Sequence, residues 1–342
     1  MKNNIIKTSF ISNIGGFNFI ISLGKNNFSG FFRKYNRKNK NIILFIQILA
    51  LFLIYRKSIN KNIKICLCAI GKNENLYVRE FVEHYKSIGY NIIFIYDNND
   101  KYGERFEEVI NDYIKTGFVE IINYRERDIR SSSQIDAYRD CYEKYNKLYD
   151  WLSFYDMDEF LELNRKYNTI QDFLSDKIFQ YCQNIKINWL FYINHFNLHY
   201  ENKSLLERMN HSLIFEDRHI KSTVRGNLKV NYWVNRKNPH TSTLNVTSCS
   251  SSGKIIKYDS PFNYPPDLTN AKLKHYYVKS FEEYCLKMKR GKADHNKDTN
   301  MRIIKQVYKK LYSENKNNSE KLKIIGKVFN ESSFNFSLQS NE

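Results

Sequence analysis

"WLSFYDMDEFLEL" (residues 151–163) carries an apolar run directly into three acids, Asp156, Asp158 and Glu159. The run reads as a short buried strand rich in strand formers, and the acids follow where such a strand ends. Carboxylates this close repel one another unless something positive sits among them. A divalent cation is one candidate for that charge, and solvent screening around an ordinary loop is the other.

Working outward, the same strand-then-polar-turn pattern recurs upstream. "IKICLCAI" (63–70) is an apolar run that ends at Lys72, Asn73 and Glu74. A helix follows, predicted by Val78, Phe81, Val82, Tyr85 and Ile88 at spacings of three and four, with Gly89 as its stop. "NIIFIYDNND" (91–100) is a second strand that runs into Asp97–Asp100, and "FVEIINY" (118–124) is a third. Ser131 to Ser133 open another helix, lined by Ile135, Tyr138, Cys141, Tyr142, Tyr145 and Leu148. The stretch at 151–155 is then the fourth strand. Strands alternating with helices predict an α/β domain with a parallel sheet, in which ligands bind beyond the carboxyl ends of the strands. The polar residues after the first, second and fourth strands therefore converge on one edge. Downstream, "NIKINWLFYINHF" (184–196), "VNYWVN" (230–235) and "KLKHYY" (272–277) read as strands, and "SFEEYCLKMKRG" (280–291) as a helix with Ser280 as cap and Gly291 as stop.

The composition fits a globular chain: 342 residues, 42% hydrophobic and 15% aromatic. A net charge of +18 would suggest nucleic acid or an anionic membrane, but thirteen Lys and Arg and no acid precede Glu74, leaving 41 bases against 36 acids afterwards. The basic arm thus sits on a nearly balanced body, which disfavours a nucleic-acid reading surface. Its apolar segment "IILFIQILALFLIY" (42–55) has fourteen residues, short of the roughly 20 needed to span a bilayer. It reads either as a helix lying in the cytoplasmic leaflet or as one packed on the main domain. The expected organisation is a basic extension over 1–60, a main α/β domain over 61–295 and a helical tail over 296–342. The six cysteines include no C-x-x-C pair and are expected as reduced thiols in a cytoplasmic protein, with Cys66 and Cys68 on one strand face.

An Asp-x-Asp at a strand end suits Mn²⁺ or Mg²⁺, which binds through one or two carboxylates while substrate phosphates complete the shell. Asp97 can hold a ribose hydroxyl, or can simply be a turn residue. No glycine-rich phosphate loop, nucleophile elbow or H-E-x-x-H motif competes with this arrangement.

In this order of motifs the chain resembles GT-A type glycosyltransferases, and within that fold the family 2-like and family 92 enzymes. The resemblance rests on "KNENLYVREFVEHYKSIGYNIIFIYDNND" (72–100), "GFVEII" (117–122), Q-x-x-AYRDC (134–141) and "WLSFYDMDEFLEL". It extends through "LLERM" (205–209), "HIKSTVR" (219–225), the Pro-His at 239–240 and "KLKHYYVKSFEEYCLKMKRGKAD" (272–294). It implies a Rossmann-like, mostly parallel central sheet flanked by helices. It also implies transfer of a sugar, with inversion, from a nucleotide-sugar donor, expected to be a UDP-sugar, to a glycan or lipid-linked glycan acceptor. The setting it suggests is bacterial surface polysaccharide synthesis at the inner face of the cell membrane.

Carried over by position, the donor base and ribose lie near Lys72, Glu74 and Asp97, and Asp156 and Asp158 serve the ribose and the metal. His275 is a further metal ligand, Lys221 and Arg225 meet the diphosphate, and His240 lines the acceptor pocket. Glu207 and Asp217 are the two candidates for the base. The competing class is a non-catalytic basic membrane- or nucleic-acid-binding protein, which the acids at the sheet edge argue against. The first sixty residues have no counterpart in the shared block.

Overall fold

The computed structural model describes residues 9–14, 17–23, 28–30, 63–126, 132–193, 197–209, 213–228, 239–240, 246–257 and 260–290, with 313, 316–320 and 323 near the C-terminus. The chain divides into two compact units, Met1–Ser58 and Ile59–Glu342. In the first, β1 (Ser9–Ile14), β2 (Phe17–Leu23) and β3 (Phe28–Gly30) form an antiparallel meander. The apolar segment 42–55, the strand expected at 230–235 and nearly all of the tail 296–342 lie outside the described residues. Among the described residues, no helix is long and apolar enough to cross a membrane.

The second unit begins with β4 (Ile65–Gly71), α1 (Asn75–Ser87), β5 (Ile92–Asp97), α2 (Glu107–Lys115), β6 (Val119–Asn123), α3 (Ser133–Tyr145) and β7 (Trp151–Phe154), the expected elements with α2 added between the second and third strands. These four strands are parallel, in the order β7-β4-β5-β6. The period of two in β4 explains the layers. Ile65, Leu67 and Ala69 pack with Val78, Phe81, Val82 and Tyr85 of α1, whereas Cys66 and Cys68 face Ala137, Tyr138, Cys141 and Tyr142 of α3. Both faces are covered, so the strands read as continuous apolar runs.

The rest of the sheet departs from the expectation of a mostly parallel one. It comprises β8 (Glu159–Leu163), β9 (Asn184–Ile193), β10 (Leu213–Arg225), β11 (Ser248–Ser250), β12 (Ile255–Ile256) and β13 (Ala271–Val278), interspersed with α4 (Ile170–Leu174) and α5 (Leu205–Arg208) and followed by α6 (Phe281–Arg290). The thirteen-residue β10 runs antiparallel to both β7 and β9. One edge of β9 is shared, pairing in parallel with β11 at Asn184–Lys186 and with β13 from Trp189 onward, while β13 also pairs antiparallel with β8. Among the described residues the result is a mixed ten-stranded sheet. The change comes with β10, whose antiparallel pairing to β7 reverses the strand direction beside the parallel set.

The cysteines also differ from expectation. Cys68 pairs with Cys141 and Cys182 with Cys249 as disulfides, leaving Cys66 and Cys285 as buried thiols.

Candidate functional site

The turn between β7 and β8 is the centre of the site. Asp156 follows β7 by two residues, and its backbone N–H donates to Glu159 Oε2 at 2.9 Å, which closes the turn. Gly71 at the end of β4 makes room for it, since a Cβ there would meet the Met157 side chain and lie 2.9 Å from the Phe106 ring. The acids therefore sit at the carboxyl edge of the parallel strands.

β10 supplies the first cation. Because Ser222 pairs with Phe154, the preceding Lys221 lies beside Asp156, and its ammonium is 2.8 Å from Asp156 Oδ1 and 3.8 Å from Glu159 Oε1. Lys221 is fully buried. Asp156 Oδ1 also accepts from Tyr138 Oη at 2.9 Å and from the Gln134 amide, both on α3. Burial alone would raise the Asp156 pKa, but the Lys221 charge more than offsets it and holds the carboxyl below its ordinary value. Glu159, wholly buried, is pushed well above the usual carboxylate range by burial, which Lys221 offsets only in part.

β13 and α6 supply the second cluster. His275 pairs in register with Glu159, and its Nε2 lies 3.5 Å from Asp158 Oδ1. The Lys287 ammonium, from α6, contacts Asp158 Oδ2 and lies 4.7 Å from the centre of the Tyr277 ring. Despite burial, Lys287 and His275 hold the Asp158 carboxyl well below its ordinary value. Burial lowers the His275 pKa, with Asp158 opposing. The Nδ1 of His275 is buried without a hydrogen-bond partner.

Among the described residues no three His, Cys, Asp or Glu side chains converge as a closed metal cage. The pair Asp158 and His275 fits the open kind of site, in which a hard cation takes one or two protein ligands and completes its shell with phosphate oxygens and water.

The residues expected to meet the donor are held elsewhere on the same edge. Asp97 accepts two bonds from Arg125, Nε at 2.8 Å and an Nη at 2.7 Å, and Asn99 closes an Asx turn on its other oxygen. Arg125 also donates to the carbonyls of Asp100 and Glu104, so it staples the loop after β5. Lys72 pairs with Asp100 at 2.7 Å, and Glu74 with Lys279 at 3.5 Å.

The remaining candidates separate. His240 Nδ1 lies 3.0 Å from the Ile220 carbonyl, and its ring meets Trp189 edge-on at 5.2 Å. Burial, reinforced by Lys221, lowers its pKa to about 3. Asp217 contacts His219, which stacks on the same Trp189 at 4.9 Å, and His275 lies 4.3 Å from that indole. Trp189 thus joins His219, His240 and His275. Glu207 instead closes a capping box with Ser204 at the exposed start of α5.

Arg225 is not brought to the acids: it pairs in register with Trp151 at the opposite end of β7 and donates to the Cys182 and Phe179 carbonyls. Four residues of strand separate it from Lys221, roughly 13 Å. The expectation that Arg225 meets a diphosphate therefore fails on strand geometry. Lys221 does reach the acids, yet its burial commits its charge to Asp156 and Glu159.

Sequence reasoning missed Arg125, Trp189, His219 and Lys287. Arg125 had an available signal, because it follows the third parallel strand where polar residues collect. The others lie on elements whose pairing brings distant segments together.

The model of glycosyltransferase family 92 matches residues 61–331. A glycosyltransferase family 92 protein of Oryza sativa subsp. japonica is 30% identical over 109 residues, covering 32% of this chain and 18% of that protein. The chain thus aligns with under a fifth of that relative. Among solved structures, S. aureus TarS aligns with a TM-score of 0.32 and 9% identity, over 73% of this chain and 44% of that one. The shorter TarS 1-349 gives 0.30 and 10%, over 75% and 73% respectively.

Proposed function

The chain belongs to glycosyltransferase family 92, and from that premise we propose that it transfers a sugar from a nucleotide-sugar donor, read as a UDP-sugar, to a glycan acceptor with inversion at the sugar carbon. The observation that carries this reading is the meeting of Asp156, Asp158, His275 and Lys287 at the carboxyl edge of the parallel strands. Asp97 and the loop stapled by Arg125 supply a rigid polar edge for the nucleoside, next to Lys72 and Glu74. Asp158 and His275 would hold Mn²⁺ or Mg²⁺, whose charge would neutralise the donor diphosphate and ease its departure. The Lys287 ammonium adds a positive charge beside the same carboxylate.

The acceptor region is the Trp189 floor, which carries His240 and the Asp217–His219 pair. In the same reading, residues 1–60 attach the enzyme to the cytoplasmic membrane surface through their bases, and the acceptor belongs to surface polysaccharide synthesis. The charge distribution and the family resemblance support those two extensions.

Release of nucleoside diphosphate from a panel of nucleotide sugars with Mn²⁺, comparing wild type with Asp158→Ala, tests the reading. Slow donor hydrolysis, abolished by chelator and by the substitution, is expected. Absence of both turnover and donor binding would remove the proposal. Membrane pelleting that survives deletion of residues 1–60 would remove the attachment.

A further inference from the structure

An inverting transfer needs a group that takes the acceptor proton, and the geometry singles out a residue the sequence did not. Between Glu216 and Ile220 the β10–β9 register shifts, so Asp217, Arg218 and His219 form an irregularity of the kind that re-aims side chains beside active sites. Asn188 fixes it, its amide reaching the Asp217 and Arg218 carbonyls at 3.2 Å each. Within it, Asp217 Oδ1 accepts the His219 backbone N–H at 2.7 Å and faces His219 Nδ1 at 2.5 Å. The imidazole is clamped further by Trp189, stacked at 4.9 Å, and by Phe262, edge-on at 4.7 Å. A ring held this way donates from Nδ1 to the carboxylate and keeps the Nε2 lone pair for a proton. The His219 side chain is 35% exposed, so an acceptor can reach it.

We propose that His219 is the general base of the transfer and that Asp217 is the residue that positions it, an assignment that rests on the transferase reading above. The acceptor O–H bond breaks, with its proton passing to His219 Nε2. The freed oxygen pair forms the new bond to the sugar carbon, and the bond from that carbon to the diphosphate breaks, its electron pair leaving with the diphosphate. Asp217 then faces an imidazolium, whose charge it stabilises. Glu207 has no comparable arrangement, since its carboxylate caps its own helix. The charged and titratable groups around the ring are Asp217 and Lys221 on its own strand, His240 at 6.1 Å, His275 against the same Trp189 indole, and Arg218, whose guanidinium lies over Phe262.

The test uses the full chain with Mn²⁺ and a panel of UDP-sugars, with water or free monosaccharides at high concentration as acceptors. His219→Asn and His219→Gln should lower kcat by about 100-fold or more, with KM within about threefold. Free imidazole should restore part of the lost kcat to His219→Gly and leave wild type unchanged. Asp217→Asn should lower kcat about tenfold with KM within about threefold, because the imidazolium formed in the transfer loses its counter-charge. A purely structural role for the pair would give no imidazole rescue. Retention of rate within about threefold, or loss of rate that imidazole does not rescue, would overturn the assignment while Asp158-dependent turnover kept the transferase reading intact. Absence of turnover of any donor by wild type would instead remove the transferase reading, and the base with it.

Discussion

Lys221 is the positive charge that the three closely spaced acids require, at least for Asp156 and Glu159. A fully buried ammonium between two carboxylates costs desolvation energy that the partners must offset, and removing the cation alone leaves the acids uncompensated. Lys221→Met, close in volume, should therefore destabilise the protein by about 3 kcal/mol at neutral pH, read by urea denaturation. The loss should shrink on acidification, because protonation of Asp156 and Glu159 removes the unpaired charge; a loss unchanged with pH would mean that packing dominates. A similar logic applies to Arg125, which satisfies Asp97 and two loop carbonyls at once. Arg125→Met should cost about 3 kcal/mol and weaken UDP binding, measured by calorimetry, whereas Arg125→Lys should recover charge without the bidentate geometry and so restore only part of both.

Elements differ in what they owe to local sequence. The stretches that became β4, α1, β5, β6, α3 and β7 each carry their own pattern, apolar runs for doubly buried strands and three-to-four spacing for helices, so they were legible one by one. Ser280 as the cap of α6 was legible too, and its hydroxyl accepts the Glu283 N–H at 3.2 Å. Strand β10 was not, because "LIFEDRHIKSTVR" has neither a run nor an alternation. Its core section buries Lys221, Ser222 and Thr223 along with Ile220 and Val224, and those polar groups are satisfied by residues far away in sequence. Thr223 Oγ1, for example, bonds Ser153 at 2.9 Å and Tyr155 at 2.6 Å. The second cluster of the site shares this opacity: Asp158 and Lys287 are 129 positions apart and meet only through α6. Glu207 illustrates the converse case, because Ser204-Leu205-Leu206-Glu207 is an S-x-x-E capping box that local rules can detect. Glu207→Ala should accordingly cost about 1 kcal/mol of stability, and Glu207→Gln less, since an amide still accepts the Ser204 N–H. Equal losses in chemical denaturation would contradict the capping role.

For the whole molecule, the sign of the buried titrations sets the pH response. His84 on α1 lies against β8, its Nε2 2.9 Å from the Leu161 carbonyl, and burial lowers its pKa to about 4 despite that bond. His240 is lowered further, to about 3. Both are therefore neutral in the folded state at pH values where the unfolded chain would protonate them. A depressed pKa contributes stability that is complete above the unfolded value of about 6.5 and is lost as pH falls toward the folded value. Asp156 and Asp158, also depressed, act in the same direction at lower pH. Glu159 and Glu283 run the other way: burial raises both, Glu283 to about 8, so each favours the fold at acid pH and opposes it as pH rises. The His84 contribution itself, about 2 kcal/mol, should be lost between pH 7.5 and 4.5, read by urea denaturation as the difference between wild type and a variant that cannot titrate there. His84→Gln keeps an N–H for Leu161 and removes the titration, so it should flatten the profile by that amount. An unchanged slope would mean that the imidazole of His84 is already solvated in the fold, and that the packing of α1 on β8 is looser than its contacts with Tyr85 and Phe160 imply.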